Sequence, residues 1–154
     1  MAGKGPGTVL GRIGHAVGYA GWLVKEIFAA GVGATVAAFS PDAGMKPIII
    51  FYPLRIRSDW ERFWFSTSIT ATPGTLSIGF RHDPDHAERK ILLVQAVFGA
   101  DPIEQIEGLR QMEEHLAPWV ASLPFDATAV PWRAYRDLGP DTPPEDLPSA
   151  ERLD

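Results

Sequence analysis

The sequence predicts an α+β protein: an N-terminal transmembrane helix, a small β-α-β-β-α domain and an extended Pro-rich tail. Three observations predict it. Val9 to Phe39 is a Gly/Ala-rich apolar stretch. Residues 48–116 alternate apolar runs with helix-start and turn signals. From Pro118 onward prolines recur too often for regular structure, and the segment reads as an extended tail. The expected division is 1–41, 42–117 and 118–154.

Composition narrows the function classes. The chain has 154 residues, 45% of them hydrophobic, with a formal net charge of −5. Its mean hydropathy of −0.02 is slightly apolar for a soluble domain and far from that of a polytopic membrane protein. The acidic balance argues against nucleic acid as a partner. There is no cysteine, which excludes disulfides, thiol catalysis and Cys-ligated zinc.

As a helix, residues 9–39 would run roughly 46 Å, enough to cross a bilayer. Arg12, Lys25 and Glu26 interrupt the apolar character, so no uncharged run reaches the usual span. Gly14, Gly18, Gly21 and Lys25 share one side at helical spacing. Small residues in such a row let a second helix approach closely. Lys25 on that side would face a partner protein, with Glu26 near an interface. About 100° separates the two side chains, so they are expected not to pair well with each other. A buried helix of a soluble protein, a surface-lying amphipathic helix and a cleaved signal peptide are the competing readings. Lys46, Arg55, Arg57 and Arg62 follow the segment, against Lys4 and Arg12 before or at its start. That bias puts the C-terminal side in the cytoplasm.

Ser40 to Gly44 reads as a linker. Ile48 to Ile56 reads as a strand, apolar enough to be covered on both faces, with Pro53 near its end. Ser58-Asp59-Trp60-Glu61 is a capping box that starts a helix, and Pro73 stops it. Thr75 to Phe80 alternates, placing Leu76, Ile78 and Phe80 inward. Lys90 to Phe98 is the next strand, joined by a hairpin loop containing Pro84. Asp101-Pro102-Ile103-Glu104 opens a second helix, with Ile103, Ile106, Leu109 and Leu116 on its buried side. A three-stranded sheet with both helices on one face is the simplest product. Trp119, Phe125, Trp132 and Tyr135 in the tail look like anchors on a partner or on the domain itself.

Candidate sites are few. Arg55 and Arg57 would share a strand face and dock onto acidic loops of neighbouring proteins or onto anionic lipid; otherwise they form a solvated face with Asp59 supporting a helix start. Thr72-Pro73-Gly74-Thr75 has one glycine and no following lysine, so it reads as a structural turn rather than a nucleotide loop. His82-Asp83-Pro84-Asp85-His86 holds ligand-type residues, but Pro84 opposes a helix and further ligands are missing, so no metal is expected. Glu113-Glu114 reads as a solvated helix face. No nucleophile-base arrangement and no cofactor motif is discernible.

Pro47 to Asp59, with Pro53-Leu54-Arg55-Ile56-Arg57-Ser58-Asp59, and then Ile69 to Leu76, with Thr72-Pro73-Gly74-Thr75-Leu76, resemble the E-type subunit of the multisubunit monovalent-cation/proton antiporters (Mrp/Mnh). The resemblance covers about residues 20–117. It implies a bacterial cytoplasmic-membrane complex exchanging Na+ for H+, in which large antiporter-like subunits carry the ions. This chain would be an accessory, non-enzymatic subunit, contacting those large subunits, small membrane subunits and lipids, with its C-terminal domain on the cytoplasmic side. Members usually carry two further hydrophobic segments before the one seen here. A soluble α/β ligand-binding module is the alternative.

Overall fold

The computed structural model describes residues 9–39, 45–83 and 89–135. The expected linker at residues 40–44, the tip of the hairpin loop and the tail beyond Tyr135 lie outside them. Helix α1 spans Val9–Ala38, β1 Ile48–Pro53, α2 Asp59–Ala71, β2 Thr75–His82, β3 Lys90–Ala96 and α3 Pro102–Leu116. Two short 3-10 turns, Pro118–Ser122 and Ala127–Ala129, lead to β4, Trp132–Ala134.

The sheet has four strands in the order β2-β3-β1-β4, and each neighbouring pair is antiparallel. That corrects the expected three strands and the structureless tail after Pro118. Pro131 and Trp132 bring the chain back beside β1, where Phe51 N–H donates to the Pro131 carbonyl at 2.9 Å and Tyr135 N–H to Pro47 at 2.8 Å. A three-residue edge strand suffices, because its bonds sit on a sheet already held by its core.

The core lies between the sheet and the two domain helices. Ile48, Ile50 and Tyr52 of β1 and Leu92, Val94 and Ala96 of β3 meet Phe65 and Ile69 of α2 and Ile106, Leu109 and Met112 of α3. Both helices therefore cover one face of the sheet, as the pattern of apolar runs predicts. The alternation of β2 is real but inverted. Leu76, Ile78 and Phe80 are exposed, while Ser77 faces α2, its hydroxyl 2.8 Å from Ser66 Oγ. The helix side of β2 is bonded through hydroxyls, and a register shift at Ser77/Gly79 breaks the simple period. Ile103 of α3 is exposed as well, and Met112 and Glu113 extend the buried side instead.

The expected transmembrane helix is corrected in part. A single 30-residue helix forms over nearly the expected range. Among the described residues, however, no helix is long and apolar enough to cross a membrane. His15, Tyr19, Lys25, Glu26 and a scatter of glycines dilute the apolar residues of α1.

Candidate functional site

Three polar constructions fix the domain, and apolar side chains on α1, α2 and β2 are left uncovered. The first construction centres on Glu113, which is 0% exposed. Tyr52 Oη donates to its Oε2 at 2.9 Å, and Arg55 Nε to the same oxygen at 2.7 Å. The backbone N–H groups of Arg55 and Ile56 donate to Oε1 at 2.8 and 3.0 Å. Arg55 Nη1 reaches Glu114 at 3.0 Å, and the guanidinium lies 4.8 Å over the Phe125 ring. Glu114 in turn pairs with Arg110 at 2.8 Å.

This cluster ties the chain leaving β1 to the last turns of α3. Burial works against the Arg55 charge, yet the bonds and charge of Glu113 outweigh it and hold the guanidinium above its ordinary value. Burial and the adjacent carboxylate push the Tyr52 hydroxyl far up. Burial would raise the Glu114 carboxyl, but Arg55 and Arg110 hold it below the usual range. Glu113-Glu114 is thus no solvated face. Helical spacing put Glu113 one position past Met112 on the buried side, and its partner sits far away in sequence.

The second construction is the capping box. Ser58 Oγ accepts from Glu61 N–H at 3.2 Å, and Ser58 N–H donates to Glu61 Oε2 at 3.1 Å. Trp119 Nε1 donates to Glu61 Oε1 at 3.0 Å, linking the segment after α3 to the start of α2. Burial opposes the Glu61 charge, and the Ser58 and Trp119 bonds lower its carboxyl overall. Asp59 pairs with Arg62 at 2.8 Å.

The third is the Thr72-Pro73-Gly74-Thr75 turn between α2 and β2. Gly74 has φ 90°, the left-handed region glycine tolerates. Thr75 Oγ1 donates to Ile69 O at 2.7 Å, and Val97 N–H donates to Gly74 O at 2.9 Å. The hydroxyl is consumed in closing the helix, so the turn is structural.

These placements sort the sequence candidates. Arg55 is 7% exposed and points into the cluster, which corrects the expectation that it docks outward. Arg57 is exposed, Ser58 and Asp59 serve the start of α2, and Thr72 to Thr75 form the turn. Lys25 and Glu26 do meet, at 3.7 Å, against the expected divergence, because long side chains can bend toward each other from adjacent positions. Pro84, Asp85 and His86 of the ligand-type run lie outside the described residues. Among the described residues no group of three metal-ligand types comes together.

Helix α1 touches the domain through one side. His15 Nε2 donates to Leu116 O at 2.9 Å, Tyr19 Oη donates to Ser68 Oγ at 2.7 Å, and Trp22 stacks on His115 at 4.2 Å. Gly31 approaches Pro73. Ile13, Val17, Val24, Phe28, Val32 and Val36 are exposed. A Cβ built at Gly14, Gly18 or Gly21 would meet nothing within 4 Å. Sequence reading missed the aromatic and histidine contacts of α1, because their partners lie elsewhere in the chain.

Comparison with known proteins decides the lineage. The family model described as Na+/H+ ion antiporter subunit matches residues 6–118. The chain belongs to that family. The likeness to the E-type subunit of the Mrp/Mnh antiporters, legible in the Arg55–Asp59 and Thr72–Leu76 motifs, is borne out. The E-type Na(+)/H(+) antiporter subunit of Alkalihalophilus pseudofirmus is 34% identical over 59 residues, 38% of this chain and 37% of that relative's length. A chain in a structure of the Mrp complex from Dietzia sp. DQ12-45-1b superposes with a TM-score of 0.53 at 26% identity. That match covers 71% of this chain and 96% of the other.

Proposed function

We propose that this chain is an accessory subunit that stabilises a multisubunit monovalent cation/proton antiporter and carries no ions itself. One observation carries the reading: α1 binds its own domain along one side and leaves an apolar stripe uncovered, with open space over Gly14 and Gly21 beside it. A solitary domain gains nothing from such a surface, whereas a helix of a neighbouring subunit would bury it and pack closely over Gly14 and Gly21. The titratable groups fit the same role. In the domain Arg55, Glu113, Glu114 and Arg110 are engaged with one another, and Lys25 and Glu26 pair on the surface of α1. The partners are large antiporter-like and small membrane subunits of a bacterial cell membrane, with the domain on the cytoplasmic side.

The test is Gly21→Val in the whole chain, co-expressed with the other subunits. Because the added side chain meets open space here, the domain folds as before. Complex recovered by affinity purification falls, and Na+/H+ exchange in membrane vesicles falls in proportion, with cation preference unchanged. Intact complex with altered cation preference would refute the accessory role.

A further inference from the structure

Trp60, Phe63 and Trp64 stand on the outer face of the first two turns of α2 and are 69%, 55% and 40% exposed. They pack on one another, with ring centroids 6.0 Å apart for Trp60–Phe63, 5.6 Å for Trp60–Trp64 and 5.4 Å for Phe63–Trp64. The result is a preformed aromatic ridge on a convex helix face. The indole of Trp119 is bonded to Glu61. Those of Trp60 and Trp64 have no hydrogen-bond partner among the described residues. Charge around the ridge balances: Arg57 and Arg62 against Asp59 and Glu61.

Trp60, Trp64 and Ser68 follow one another at four-residue spacing, and Tyr19 of α1 covers the stripe at Ser68. The ridge therefore continues, uncovered, from the place where α1 lies. Indole rings with an apolar body and a free N–H suit the boundary between acyl chains and headgroups, where aromatic residues concentrate. A convex, electrically neutral ridge suits that soft medium.

We propose that this ridge is an interfacial anchor, laying Trp60, Phe63 and Trp64 into the headgroup boundary of the bilayer beside the antiporter. Ring burial rather than charge drives it, so anionic lipid is not required. The assignment rests on the reading of the chain as an antiporter subunit, which supplies the membrane.

The test uses the whole chain with phosphatidylcholine vesicles, alone or mixed with phosphatidylglycerol, brominated on the acyl chain near the headgroup. One variant carries Phe in place of Trp22, Trp119 and Trp132, so that Trp60 and Trp64 report alone. A second carries Trp60→Phe and Trp64→Phe. Circular dichroism checks that both are folded. Brominated lipid should lower the emission of the first about twofold in either lipid mixture, and that of the second far less. The assignment is overturned by any of four results: no sedimentation with vesicles, full emission from the first variant while bound, quenching only with phosphatidylglycerol, or equal quenching of both. Co-purification separates this from the assembly role. Trp60→Ser/Phe63→Ser/Trp64→Ser should still recover the other subunits. If it does not, and the first variant is not quenched, the ridge contacts protein and the lipid assignment fails alone. Quenching of a chain that never recovers those subunits leaves the anchor standing and removes the assembly role.

Discussion

Glu113→Gln isolates the charge at the heart of the domain. The substitution keeps volume and keeps one oxygen to accept from the Arg55 and Ile56 backbone N–H groups. It replaces the other oxygen, the acceptor of Tyr52 Oη and Arg55 Nε, with an amide that donates. Tyr52 can turn its hydroxyl to accept. Arg55 cannot, and it is left buried with only Glu114 as counter-charge. Removing one partner of a buried pair costs about 3 to 5 kcal/mol, and the surviving Glu114 contact places this case near 3 kcal/mol. Glu113→Ala also orphans two backbone donors, at about 1 to 3 kcal/mol for each buried group left unsatisfied. Against a total stability of about 5 to 15 kcal/mol, Gln should lower the urea midpoint sharply and Ala should leave little folded protein. The assay is urea unfolding by far-ultraviolet circular dichroism across a cycle of Glu113→Gln, Arg55→Met and the double variant. A coupling above about 1 kcal/mol is expected. Coupling below about 0.5 kcal/mol, with Glu113→Gln nearly as stable as the parent, would refute the assignment of the cluster as the tie between β1 and α3.

Three further outcomes are checked by the same unfolding curves. Ser58→Ala removes the cap of α2 and should cost about 1 kcal/mol; no change would show the box to be idle. Gly74→Ala combines φ 90° with a Cβ 2.9 Å from the Phe98 ring and should cost about 1 to 2 kcal/mol. A neutral result would mean the turn relaxes freely. The Glu61 and Glu114 carboxyls titrate lower in the folded chain than in the unfolded one, so the folded state binds fewer protons. Their contribution is complete above the unfolded value of about 4.3 and is lost as pH falls through the lowered folded values. Stability should therefore drop as pH falls below the unfolded carboxyl value, and Glu61→Gln with Glu114→Gln should flatten that drop. An equally steep loss in the double variant would contradict it.

Local chemistry made part of the fold legible. Ser58 with Glu61 marks the start of α2 because a cap and its box partner are three residues apart, within one turn. Asp101 followed by Pro102 marks α3, because the Asp101 carboxylate accepts from the Ile103 and Glu104 N–H groups and proline suits the first helical position. Gly74 after Pro73 marks a turn that only a residue without a side chain closes comfortably. Where partners are distant, the reading failed. Glu113 follows Ile106 and Leu109 at helical spacing, which puts it on the buried side, but its partner Arg55 lies fifty-eight positions away and no local pattern names it. Trp132 pairs with β1 across most of the domain, so β4 looked like tail. Leu76, Ile78 and Phe80 alternate as a strand should, yet alternation alone does not say which face the helices choose.

The buried polar groups explain why the uncovered surfaces matter. Arg55, Tyr52 and Glu113 satisfy one another inside the domain, and Thr75 and Ser58 are consumed by the ends of α2. Large apolar side chains nevertheless remain outward: the stripe from Ile13 to Val36 on α1, the ridge of Trp60, Phe63 and Trp64 on α2, and Leu76, Ile78 and Phe80 on β2. Apolar surface that a small domain leaves in water costs about 25 cal/mol for each Å² another body could bury, and it invites aggregation. Its presence on an antiporter-family chain is intelligible if such a body is always there, the α1 stripe meeting neighbouring subunits and the α2 ridge the lipid around them. A variant that made both surfaces polar should therefore yield a more soluble chain that no longer assembles.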